Sequence, residues 1–192
     1  MSPGKRKRLP PEERKNQLLK SALDLFCEQG VDGTTMHQLA EHAGVSYGLF
    51  YHYFHSKDEV LATAVRQSSV FPQIQKFLSQ HDRPVRELLI ELSSFYMEAM
   101  EERRDIVWLL FSESRKRPTL AQNLGELATD FRASLSDYLQ ARIPHGEVRP
   151  DIINLDVATR LVWSYLFIRF LWIEDEPDVE LHMAILLDGL CP

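Results

Sequence analysis

The residues with the most chemistry to offer are crowded into one short stretch: Tyr47, Gly48, Tyr51, His52, Tyr53 and His55. Tyrosine hydroxyls donate to phosphates, and their rings lie against sugars and thymine methyl groups. Both are contacts that a groove of duplex DNA rewards. Thr35 and Ser46 flank the stretch on one side. On the other, Lys57 stands at an expected helix start, where free backbone N–H groups and an ammonium can hold a phosphate together. The competing reading is that these rings only pack inside a tight helical hairpin.

Catalytic and metal-binding chemistry is not legible in the chain. It contains no G-x-S-x-G, H-E-x-x-H, Walker or G-x-G-x-x-G pattern. His52 and His55 lie three apart on one helix, but no third ligand is near in sequence, so no metal site is expected. Neither an enzyme activity nor a cofactor is expected.

Two short helices must position the aromatic residues. Thr34 and Thr35 can cap the first, on which Met36, Leu39, Ala40 and Ala43 keep the i, i+3, i+4, i+7 spacing of one apolar face. Gly44 tolerates positive φ and ends it, and Val45 follows as a plug between the helices. Ser46 can cap the second, which points Phe50 and Phe54 inward and leaves Tyr47, Gly48, Tyr51, His52 and His55 largely outward. Two helices joined by a short Gly-containing turn form the arrangement that fits a recognition helix into the major groove. Ahead of them, a helix from Pro11 to about Gln29 carries the stripe Leu18, Leu19, Ala22, Leu23 and Phe26, and Gly30 ends it.

At these residues the chain resembles the tetracycline-repressor (TetR) family of transcriptional regulators. The resemblance rests on Phe26, Gly30, Thr34, Thr35, Gly44, Val45, Ser46, Tyr51, Tyr53, Phe54, Ser56 and Lys57, in order and spacing, over roughly the first sixty residues. Leu49 departs from the pattern, where the family often has Thr, Ser or Ala. The resemblance implies a homodimer whose two recognition helices bind an inverted-repeat operator. Tyr47 and Gly48 would lie nearest the bases, Thr35, Tyr51, Tyr53 and Lys57 would fix the backbone, and Ser46 and His52 complete the expected DNA-binding set. It also implies a small-molecule effector held in the body, and dimerisation through the last two long helices.

Charge is distributed as such a protein requires. The chain of 192 residues has a net charge of −6; residues 1–57 carry 8 positive and 6 negative charges, for +2, and the remainder carries 14 and 22, for −8. A DNA-facing head on an acidic body follows, and the acidic body argues against a non-specific architectural DNA protein. Lys5, Arg6, Lys7 and Arg8 form a basic arm without an apolar core, so they are not a secretory signal. The arm is either a solvated tail or a source of salt-sensitive phosphate contacts. Cys27 and Cys191 have no ligand-like spacing. A reducing cytoplasm is the simplest home.

The body reads as all-α. A helix opening at Ser56 is expected to bend or end where Phe71 meets Pro72, with further helices over Arg83 to about Arg103, Asp105 to Arg115 and Pro118 to near Pro144. The stretch Asp156–Ile173 is apolar nearly all round. It falls short of the about 20 residues that span a bilayer and contains Arg169, so a second protein copy is its expected cover and a membrane is not. Tyr96, Trp108, Phe111, Trp163, Phe167 and Arg169 are the effector-pocket candidates. Arg169 needs a carboxylate, from a core acid such as Glu113 or from the ligand.

The expected whole is an all-α protein: a flexible basic arm (1–10), a three-helix helix-turn-helix DNA-binding head (11–56) and a helical effector-binding and dimerisation body (57–192). The expected function is ligand-responsive repression of transcription. The rival is a helical metabolite-binding enzyme or carrier whose hairpin is purely structural.

Overall fold

The computed structural model of the chain describes residues 9–149, 164, 179–188 and 191. Lys5 to Arg8 of the basic arm, and Trp163, Phe167 and Arg169 of the apolar stretch, lie outside the described residues. Those described form helices α1 (Pro11–Gln29), α2 (Met36–His42), α3 (Tyr47–Tyr53), α4 (Lys57–Ser68), α5 (Phe71–Leu78), α6 (Val85–Glu101), α7 (Arg104–Ser114), α8 (Pro118–Arg142) and α9 (Val179–Asp188), plus a 3-10 turn Ile143–His145. No strand occurs among them, and the fold is all-α.

Local sequence explains most boundaries. Pro11, with its fixed φ, opens α1 beside Glu12 and Glu13, whose charges suit a helix N-terminus. Gly30 closes it at φ 79°. Thr35, not Thr34, caps α2: its Oγ1 accepts from the Gln38 amide at 3.2 Å while Gln38 Oε1 accepts from the Thr35 amide at 2.8 Å, a reciprocal capping box. Thr34 is buried and donates its hydroxyl back to the Gly30 carbonyl at 2.7 Å. Gly44, at φ 66°, turns the chain into α3, where Ser46 Oγ accepts from the Leu49 amide at 3.2 Å.

The start of α4 repeats the device. Ser56 Oγ accepts from the Glu59 amide at 3.1 Å, and the Glu59 carboxylate accepts from the His55 amide at 2.7 Å. That backbone bond is the chief reason the Glu59 carboxyl is held below its usual range. The end of α4 comes earlier than Pro72. The helix stops at Ser68, and Pro72 sits in the first turn of the separate α5, where its missing N–H is harmless.

Two compact units result: Met1–Ser68 with Asp105–Asn123, and Ser69–Arg104 with Leu124–Pro192. Thus α4 and the segment Asp105–Asn123, assigned to the effector body by the sequence division, group with the three-helix head. In the first unit α1 packs against α2 and α4, and α2 against α3. Leu18, Ala22, Phe26, Leu39, Phe50, Phe54 and Leu61 form its buried centre. In the second, α6 packs against α5 and α9. Arg142 closes the end of α8 there by donating to the His81 and Arg83 carbonyls at 2.6 and 2.5 Å.

Phe50 is fully buried in a helix of seven residues. Phe50→Ala is expected to destabilise the first unit by about 3–5 kcal/mol. Thermal denaturation followed by circular dichroism checks this; an unchanged midpoint would show that the ring does not hold α3 in place.

Candidate nucleic-acid interface

The two caps and two buried phenylalanines present one continuous aromatic surface. With Phe50 and Phe54 at 0% exposure, the other side of α3 faces solvent, leaving Tyr47 45%, Tyr51 44% and Leu49 38% exposed. The rings form a row. His37 of α2 stacks on Tyr47 with centroids 5.9 Å apart, Tyr47 on Tyr51 at 5.7 Å, and Tyr51 meets His55 edge-on at 5.1 Å. His52 meets Tyr53 edge-on at 5.2 Å. His37 was not among the residues expected from sequence. Its signal was weak, because stacking on Tyr47 bridges two helices and depends on how Gly44 turns the chain.

Thr35, Ser46, Tyr47, Gly48, Tyr51 and His52 are exposed, and Tyr53 is half-buried. The expected DNA-facing residues therefore gather in the first unit, with Thr35 and Ser46 already bonded as caps. Leu49 replaces a small or hydroxyl side chain with an exposed apolar one, chemistry suited to a thymine methyl. Gly48 is exposed as well. A Cβ built there meets no atom within 4 Å, and its φ is not positive, so nothing inside the protein requires glycine.

Lys57 differs from expectation. Its Nζ donates to the carbonyls of Val31 at 2.6 Å and Thr34 at 2.9 Å. Those carbonyls lie in the turn between α1 and α2, outside regular helix, and the ammonium satisfies them. Two of its three donors are thereby used inside the protein, and Lys57 ties α4 to the turn that launches α2.

The described effector candidates fall in both units. Tyr96 is buried in the second unit, its ring 6.4 Å from that of Phe131, and burial pushes its phenol well up. Trp108 and Phe111 belong to the first unit and are each 38% exposed. Glu113, considered as a partner for Arg169, is buried and pairs with Arg117 at 3.0 Å and Lys116 at 3.7 Å. A cleft of about 160 Å³ beside Asp58, Leu61, Arg117 and Asn123 is smaller than the roughly 300–1,000 Å³ of ordinary ligand pockets. No cluster of metal-ligating side chains occurs among the described residues.

Comparison with known proteins agrees with this geometry. Residues 18–64 match the model of the bacterial regulatory proteins of the tetR family. The chain is 27% identical over 191 residues to the HTH-type transcriptional repressor KstR2 of Mycolicibacterium smegmatis, covering 94% of this chain and 92% of that protein. It is 34% identical over 135 residues to the HTH-type transcriptional regulator LuxR of Vibrio harveyi, covering 62% and 66%. Among solved structures, Salmonella enterica GusR superposes with a TM-score of 0.75 at 19% identity, covering 96% of this chain and 98% of that one. The ketosteroid transcriptional regulator KstR2 of Mycobacterium tuberculosis superposes with a TM-score of 0.68 at 24% identity, covering 93% and 95%.

Gly48 separates the demands of folding from those of DNA. Gly48→Ala is expected to leave the fold intact, with stability unchanged or raised by up to about 1 kcal/mol, while operator binding is expected to weaken because the added methyl group stands on the exposed surface expected to face DNA. Thermal melting and titration of a selected duplex check the pair of effects. Undiminished binding by a folded variant would remove Gly48 from the interface.

Proposed function

We propose, because the chain belongs to the tetR family of bacterial regulatory proteins, that it is a ligand-responsive transcriptional repressor which binds an inverted-repeat operator as a homodimer. The observation carrying this reading is the exposed aromatic row of α3, held outward by the fully buried Phe50 and Phe54. Its place of action is the cytoplasm, where a bacterial operator is found. The helical enzyme or carrier with a purely structural hairpin is not favoured, since the relatives are regulators along most of the chain.

Tyr47, with Gly48, meets the bases in this reading. Thr35, Ser46, Tyr51, His52 and Tyr53 hold the sugar-phosphate backbone, through side chains or the helix N-termini that Thr35 and Ser46 cap. Lys57 contributes by fixing the α1–α2 turn, with one donor left for a phosphate. Residues 11–56 read DNA, and 57–192 supply effector binding and dimerisation. The effector is a small molecule with apolar bulk, as Tyr96, Trp108, Phe111, Trp163 and Phe167 would suit. Arg169 would be met by a carboxylate, from a core acid or from the effector. Its binding would alter the spacing of the two heads, so that both half-sites can no longer be met together and the affinity gained from bivalence is lost.

Selection of duplexes from a random library at fixed salt tests the reading: an inverted repeat is expected, and recovery of no preferred sequence by folded, ligand-free protein would overturn it. On the selected duplex, Tyr47→Ala is expected to cost about 1–3 kcal/mol, the scale of one lost base contact, and far less on random DNA. Equal loss on both, measured by fluorescence anisotropy, would remove Tyr47 from base recognition.

A further inference from the structure

The turn between α1 and α2 is gripped from two sides. From α4, Lys57 donates to the Val31 and Thr34 carbonyls. From the α7–α8 corner, Arg117 reaches the same turn: its Nη2 donates to Asp32 Oδ1 at 2.6 Å. The same guanidinium has Nε 3.2 Å from Asp58 Oδ1 and Nη1 3.0 Å from Glu113 Oε2, ion-pair distances outside strict hydrogen-bond geometry. Lys116 lies 3.2 Å from Asp32. Asp58 directly follows Lys57, so Arg117 and Lys57 close a ring through the turn and the first residues of α4.

We propose that Arg117, 60 residues beyond Lys57 in sequence, is a positioning residue for DNA recognition, fixing the Gly30–Thr34 turn and thereby the orientation of α2 and α3. Each of its three nitrogen positions faces a different acid, a division the planar guanidinium fork allows and a lysine ammonium does not reproduce. Glu113, four residues earlier and buried, aims it. The turn transmits position because it has little slack. A Cβ at Gly33 would stand 2.8 Å from the Gln29 carbonyl oxygen, and Thr34 is bonded to the Gly30 carbonyl and precedes the α2 cap directly.

The pairs with Asp32 and Asp58 add little to global stability, whereas loss of Arg117 would also leave the buried Glu113 carboxylate without that partner. The side chains of Asp32 and Asp58 are 61% and 73% exposed, and ion pairs to such groups are screened and worth little. The Asp32 carboxyl is held below its usual range, first by its hydrogen bond from Arg117 and then by that from Lys116. The bond to Arg117 is therefore present from neutral pH down to the carboxylate range, and is lost only as pH falls through that lowered value.

The inference rests on the operator-binding reading, and two measurements keep the two apart. The first is hydrogen exchange of the amides of residues 31–42 in free protein. The second is affinity for the selected duplex and for random DNA. For Arg117→Met, exchange in 31–42 is expected to quicken and operator affinity to fall, each on the order of tenfold, the scale of coupled contacts, with random-sequence affinity little changed. Arg117→Lys is expected to recover part of both, and Asp32→Asn to reproduce part of both while adding little on top of Arg117→Met. Unchanged exchange in 31–42 and unchanged operator affinity would overturn the inference, as would full rescue by lysine. Should Arg117→Met not fold, Asp32→Asn and Asp58→Asn carry the test, and exchange at the wild-type rate in both would overturn it. If wild-type protein selects no duplex, the operator reading fails, while exchange still decides whether Arg117 fixes the turn.

Discussion

A helix of seven residues does not hold itself together in water, because nucleation costs more than so few backbone bonds return. Both α2 and α3 have that length, so the exposed aromatic surface exists only through what surrounds it. Burial of Phe50 and Phe54 is the central constraint. Four residues apart, the two rings consume one side of α3 and oblige Tyr47, Tyr51 and His52 to the other. Caps at Thr35 and Ser46 fix where each helix begins, and hence which residues the period sends outward. A shift of one residue in either cap would rotate the exposed row by about 100° on a 3.6-residue helix.

The same constraint explains why polar side chains are used inward. The turn between α1 and α2 has carbonyls that no helix satisfies, and an unpaired backbone acceptor in a partly buried place is costly. Lys57 meets two of them. The residue whose chemistry pointed at phosphate is chiefly an anchor for the scaffold that points others at it. Asp32, in the same turn, draws Arg117 and Lys116 from a segment far along the chain. The turn that leads into α2 is thus held by Lys57 and Arg117, both placed far beyond it in the chain.

What was legible in the sequence was local. The bounds of α1, the glycine turn, the Ser46 cap and the inward pair Phe50 and Phe54 follow from periodicity and capping within a few residues, and the structure agrees. So does the gathering of the aromatic residues on one surface, since a short helix with a known buried side leaves one choice for the rest. The Lys57 contacts span 26 and 23 positions and the Arg117–Asp32 bond 85. No spacing rule reaches that far. The separate α5 is not legible from Pro72 alone, since proline in a first turn opens a helix as readily as it ends one. Of the effector candidates, Tyr96, Trp108 and Phe111 illustrate the limit of composition: aromatic residues on helices record burial or exposure only after the packing is known.

The charge of the recognition surface sets the kind of discrimination it can make. Neither Lys nor Arg occurs in α3, and residues 1–57 together carry only +2. Non-specific affinity for DNA comes almost wholly from phosphate neutralisation; in this head the net charge is small, four of its eight cations lie in the arm at Lys5 to Arg8, and Lys57 is engaged with backbone carbonyls. The aromatic hydroxyls, exposed leucine and bare glycine backbone that the proposed reading sets against DNA would depend instead on fit to a particular groove, and contacts of that kind are lost when the sequence is wrong. On the proposed reading, such a head, attached to an acidic body that repels DNA elsewhere, gains its hold from two correct half-sites met at once. The geometry that relates them is then, on that reading, what an effector would change.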